Sequence, residues 1–152
     1  MTPLRFALGA GAVLCDPDDG APIAFTHPAH PEMNFLLGAP EAAWHNRPFA
    51  WGKGFLITAR GAGSWDQPSS ITRLPDGLEL AFQPIPGVEL RVRRQFGPCV
   101  VETYTLSHRF SEPLLLTGWG ISTPFRDVYP SALECLRGAC HAHVWTGGSL
   151  AY

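Results

Sequence analysis

The densest set of chemically capable side chains lies near the end of the sequence, in Cys140-His141-Ala142-His143-Val144-Trp145. Alternate residues of a strand share a face, so His141, His143 and Trp145 line up on one side and Ala142 and Val144 on the other. Small and apolar residues suit a core, which leaves the imidazoles and the indole on an open face or a cleft wall. Such a row can hydrogen-bond and stack a ligand. Its plainer alternative is a solvated strand face. The imidazoles could also take a metal with Cys135 and Cys140. That cysteine spacing sits at the edge of the zinc-finger range, however, and His-x-His falls outside it. No metal or other cofactor is expected.

Five tryptophans are present: Trp44, Trp51, Trp65, Trp119 and Trp145. An indole offers a flat apolar face with a polar edge, which suits the C–H face of a sugar ring. Trp119 stands between glycines in a strand-like run and is expected in the core. Trp44, Trp51 and Trp65 fall in loops or at strand ends, which favours binding. Ala39 to Gly52 shows no clean period and reads as a long loop. From it, Trp44, His45, Arg47 and Trp51 join His141, His143 and Trp145 as candidate ligand-binding residues. His27 and His30 stand in a proline-rich surface loop.

Glu102 is the one candidate acid. It shares a strand face with Val100, Tyr104 and Leu106, where a carboxylate must be paired or must titrate high. The second case makes a general acid; the plainer alternative is a strand-end glutamate that reaches solvent or pairs with an arginine across the hairpin. Glycoside hydrolysis needs two carboxylates ~5–9 Å apart, and the spacing reveals no such pair. Nucleophile-elbow, P-loop and dinucleotide fingerprints are absent.

The elements that must position these residues are strands. Gly and Pro, 16 and 15 in number, are spread evenly and punctuate short runs rich in Val, Ile, Leu, Phe and Thr. That is an all-β, antiparallel pattern. Val88, Leu90 and Val92 alternate with Glu89, Arg91 and Arg93, giving one buried and one wet face. Phe96-Gly97-Pro98 turns this strand into Cys99–His108. Leu78, Leu80 and Phe82 mark Gly77–Gln83 as a strand, entered through Pro75-Asp76-Gly77, with the glycine expected at positive φ. Ser69–Leu74 completes a four-strand meander. Further strands are expected at Leu4–Leu8, Ala12–Cys15, Pro22–Thr26, Gly54–Ala59, Leu114–Ile121 and His141–Trp145, and one helical turn over Pro130–Gly138. Gly147-Gly148-Ser149 reads as a hairpin turn with a strand beginning at Leu150. This implies one β-sandwich domain over 1–152, and the unfinished strand is what a fragment, or a truncated reading frame, of a larger protein would show.

Only 16% of the 152 residues are charged, against 45% hydrophobic, and the net charge is −2. Globular chains carry ~25% charged residues, so part of this surface is expected to be covered by a partner or by further chain. A nucleic-acid surface would need a larger basic patch. No apolar run reaches the ~20 residues of a membrane helix. Four cysteines are too few for a disulfide framework at this length. Cys15 and Cys99 are expected to be buried as small apolar residues, and a reducing cytoplasm is the expected compartment.

Three segments carry a resemblance: Glu102–Ser107, Gly118–Phe125 and Cys140–Gly148. Together they resemble the N-terminal β-sandwich of bacterial glycoside hydrolases whose catalytic part is a six-hairpin helical barrel. Those sandwiches are similar to the galactose mutarotase-like supersandwich. The resemblance implies a carbohydrate-associated module, non-catalytic on its own, beside a barrel that supplies the catalytic carboxylates. Its partners would be a carbohydrate or that neighbouring catalytic domain. Two rival classes stand beside it. One is a small sugar epimerase or mutarotase-like enzyme using histidine and Glu102. The other is a structural module that forms homo-oligomers through an apolar edge.

Overall fold

A computed structural model describes residues 2–36 and 51–123, and the strand backbone of 144–146 and 149–151. Among these residues every regular element is a β-strand, and every strand pairing is antiparallel. β1 (Leu4–Leu8), β2 (Gly11–Cys15) and β3 (Pro22–Thr26) form one sheet in that order. β4 (Gly54–Thr58) and β5 (Gly61–Trp65) join β10 (Leu116–Ile121) in the order β10-β4-β5. β6 (Ser70–Leu74), β7 (Gly77–Ile85), β8 (Val88–Phe96) and β9 (Val100–His108) form the expected meander. β11 (Val144–Thr146) and β12 (Ser149–Ala151) form a hairpin that pairs Trp145 with Leu150.

The meander is the wall on which the rest packs. Along β8, Val88, Leu90, Val92, Arg94 and Phe96 are buried while Arg91 and Arg93 are exposed. Leu78, Leu80 and Phe82 of β7 face the same core. Phe6, Val13, Cys15 and Phe25 come from the first sheet and Leu56 and Trp65 from the second, so the sheets share one apolar interior. This is an antiparallel β-sandwich. Phe6 meets Phe96 at 5.0 Å between ring centroids. Trp65 meets Trp119 at 4.7 Å.

Several details differ from expectation. Gly77 is not among the positive-φ glycines. It is glycine because a Cβ there would overlap the Arg94 carbonyl of the paired strand. β5 reads Gly-Ala-Gly-Ser-Trp, with no strand-forming run, and no strand is expected there from sequence. Its small residues are explained by proximity: a Cβ on Gly63 would overlap the Pro84 carbonyl at the end of β7. Cys15 is buried as expected, but Cys99 is exposed, because it sits in the turn between β8 and β9 rather than in a strand. The helical turn expected over 130–138 lies outside the described residues. Among the described residues no helix is long and apolar enough to cross a membrane.

Candidate functional site

The most elaborate polar arrangement in the described structure is partly buried, and it centres on Glu102. β8 and β9 pair Arg94 directly with Glu102. Cross-strand partners share a face, so both side chains turn toward the interior. Arg94 is only 1% exposed. Its Nε donates to Glu102 Oε1, and its Nη1 donates to the Gly20 carbonyl at 2.6 Å. Trp51 Nε1 donates to the same Glu102 oxygen at 2.9 Å. The Tyr104 hydroxyl donates to Oε2 at 2.7 Å.

Two distant stretches are drawn in. One is the turn between β2 and β3, where Gly20 has φ 70° and its carbonyl caps Arg94. The other is Trp51-Gly52-Lys53, which leads into β4. Gly52 has φ 76°, and a Cβ on it would overlap the Arg94 guanidinium. Its carbonyl accepts from Trp65 Nε1 at 2.8 Å. Lys53 Nζ lies 3.0 Å from Asp19 Oδ2, tying the same two stretches a second time. An aromatic layer adjoins the node: Trp119 packs edge-on to Tyr104 at 5.8 Å and tilted against Trp65.

The electrostatics follow from burial. Burial first, then the Glu102 charge and hydrogen bond, push the Tyr104 phenol above its ordinary range, against the lowering influence of Arg94. Burial pushes the Cys15 thiol up to about 12, although the nearby Arg94 pulls it down. A thiol held neutral is a poor nucleophile, so Cys15 is a packing residue here. Of the three partners of Glu102, Arg94 and Trp51 can only donate. The arginine-paired alternative is therefore the one observed. The node acts as a clamp that fastens two loops to the meander.

Among the described residues the structure brings together two of the candidate site residues, Glu102 and Trp51. Trp51 is placed differently from expectation. It is 8% exposed, packs edge-on to Phe25 at 5.2 Å, and spends its N–H on Glu102. A large apolar ring with one donor is best satisfied inside when a buried acceptor waits for it. Trp65, expected among the binding tryptophans, is 1% exposed and belongs to the core for the same reason. Trp119 is half-buried against that core, as expected. Trp44, His45, Arg47, His141, His143, Cys135 and Cys140 lie outside the described residues. Of Trp145, only its backbone place in β11 is described. Among the described residues no three His, Cys, Asp or Glu side chains are grouped so that they could hold a metal ion.

Sequence reasoning missed Arg94. The signal was available, since Val88, Leu90, Val92, Arg94 and Phe96 keep one parity. An arginine in that series must meet an acceptor inside. Comparison with protein-family models, curated proteins and solved structures finds no match to the chain.

Proposed function

We propose that the chain is a carbohydrate-associated β-sandwich module, non-catalytic on its own, that packs against a neighbouring domain through the outer face of the β10-β4-β5 sheet. The observation that carries the module reading is that face. Phe55 and Ile57 are 48% and 44% exposed. They lie against Gly120 and Gly118 of β10, whose missing side chains leave the apolar surface flat. Leu115, Leu116 and Ile121 are exposed as well, on and before β10, but Leu116 and Ile121 pair with Thr58 and Gly54 and so stand on the other parity of the sheet. Exposed patches of this kind mark interaction sites, and the low charge of the sequence agrees with a covered face. The engagement of Glu102 by three donors favours a role other than acid–base catalysis. The carbohydrate part rests on the resemblance of the segments at 102–107, 118–125 and 140–148.

The same face favours one other reading, self-association of this chain. Two measurements decide between the readings. A glycan array probed with the purified chain is expected to return bound glycans; an array with no signal would remove the carbohydrate part. Sedimentation of the chain alone is expected to give a monomer. A dimer that dissociates in Phe55→Asp would favour the oligomerisation module instead.

A further inference from the structure

A second arrangement lies along β1, beside the proline-rich loop, and is used by nothing described so far. A groove of about 510 Å³ runs between β1 and the turns that close β6–β7 and β8–β9; its lining includes Arg5, Phe6, Ala7, Arg73, Asp76 and Phe96. That volume lies in the ~300–1,000 Å³ range of small-ligand sites. Arg5 and Arg73 are both exposed, and neither forms an ion pair among the described residues. The Arg73 guanidinium lies over the Phe6 ring, 5.5 Å from its centroid, and Phe6 is itself wedged on Phe96. One guanidinium is thus already held in place by a buried aromatic ring. Asp76 is the acidic residue of the groove, and its Oδ2 accepts from Gln95 Nε2 at 2.9 Å.

The backbone adds donors. Among the described residues β1 is an edge strand, paired with β2 alone. Its hairpin closes through the two-residue turn Gly9-Ala10, so Leu8 and Gly11 form the hydrogen-bonded pair. By alternation the amides of Arg5 and Ala7 face the free edge. The next outward amide, Gly9, is taken by the Gly97 carbonyl at 2.6 Å, and Pro3 has no N–H. Two open amides are too few for a peptide to add as a strand, yet enough to bond a small polar ligand. Arg5 also lines an adjoining depression of about 310 Å³ beside Thr26 and His27. A ligand longer than one ring would therefore have a continuous path past Arg5.

We infer that this groove binds an acidic sugar or short acidic oligosaccharide, with its oxyanion held between Arg5 and Arg73. Planar guanidinium forks match carboxylate and phosphate oxygens, and the Arg5 and Ala7 amides meet hydroxyls or remaining oxygens. The sugar part rests on the function proposed above; the oxyanion part rests on the groove.

Isothermal titration of the intact chain tests it, with a trigalacturonate, glucose 6-phosphate, a neutral trigalactose, inorganic phosphate and a hexaglutamate peptide as probes. At least one acidic sugar is expected to bind, at least tenfold more tightly than the neutral sugar, phosphate alone or the peptide. Which acidic sugar binds identifies carboxylate or phosphate as the anion. Arg5→Gln and Arg73→Gln, both surface changes whose melting temperatures check the fold, are each expected to weaken that binding tenfold or more. Equal binding of the neutral sugar, or binding unmoved by either substitution, overturns the groove while leaving the carbohydrate reading standing. Binding of phosphate or the peptide as tight as that of the acidic sugar overturns it as a general anion patch. No binding of any sugar here, with a blank glycan array, overturns both.

Discussion

Arg94 occupies a position that the parity of β8 assigns to the core, and every interaction around it answers that placement. A buried ion pair adds little over a well-packed apolar pair, but removing one partner strands the other charge at a cost of ~3–5 kcal/mol. Arg94→Met is therefore expected to lower unfolding stability by about that amount, leaving Glu102 with Trp51 and Tyr104 alone. Combining it with Glu102→Leu should recover much of the loss. Urea denaturation of the two variants checks this; a single substitution costing under ~1 kcal/mol would show that the pair is not the clamp described. Cys15 gives a second test at this scale. Its folded thiol stands near 12 against an ordinary value of 9.0. Below pH 9 both states keep the proton, so its stabilising contribution is whole. Between pH 9 and about 12 only the unfolded state releases the proton, and that contribution drains away. Cys15→Ala removes the titration. The stability gap between wild type and variant should narrow by about 2 kcal/mol from pH 7.5 to 10.5. A gap that stays constant would contradict the burial argument.

Turns and strands show where a glycine is required by geometry and where it is not. Gly52 needs positive φ and also needs its missing side chain, because Arg94 fills the space. Gly52→Ala is expected to cost at least ~1–2 kcal/mol from the backbone alone, with more from displacing the guanidinium. Gly97, in the turn between β8 and β9, has ordinary φ and open space around it. Gly97→Ala should stay within ~0.5 kcal/mol. Thermal melting of the two variants compares them directly, and similar melting temperatures would refute the claim that Gly52 is part of the clamp. Much at this scale was legible beforehand. The meander, the N-terminal strands and β10 follow from alternation and turn residues, with ends that shift by a residue or two. β5 was not legible, because its small side chains are chosen by the approach of Pro84 and not by strand preference. Gly77 was misread for a related reason: a turn glycine and a close-approach glycine look the same in a sequence.

At the scale of the molecule, the uneven surface is the main feature. Among the described residues most exposed large apolar side chains lie on or beside the β10-β4-β5 sheet, where Phe55→Ser with Ile57→Ser should leave the melting temperature within a few degrees while abolishing whatever association the wild type shows. Light scattering across a concentration series, or retention of an added partner domain, measures it; association that persists in the double variant would place the interface elsewhere. The sequence by itself determined the all-β class, the meander and its two faces, because strand periodicity is local and each residue votes with its immediate neighbours. It also offered Glu102 as a carboxylate on an apolar face, and left solvent or an arginine across the hairpin as the alternative to an acid. Only the tertiary structure decided that the partner is Arg94, that Trp51 arrives from a loop fifty-one positions away to share it, and that Trp65 is core rather than platform. Those outcomes depend on which sheets face each other and at what register. Contacts between residues far apart in the chain leave no periodic trace in the sequence that produces them.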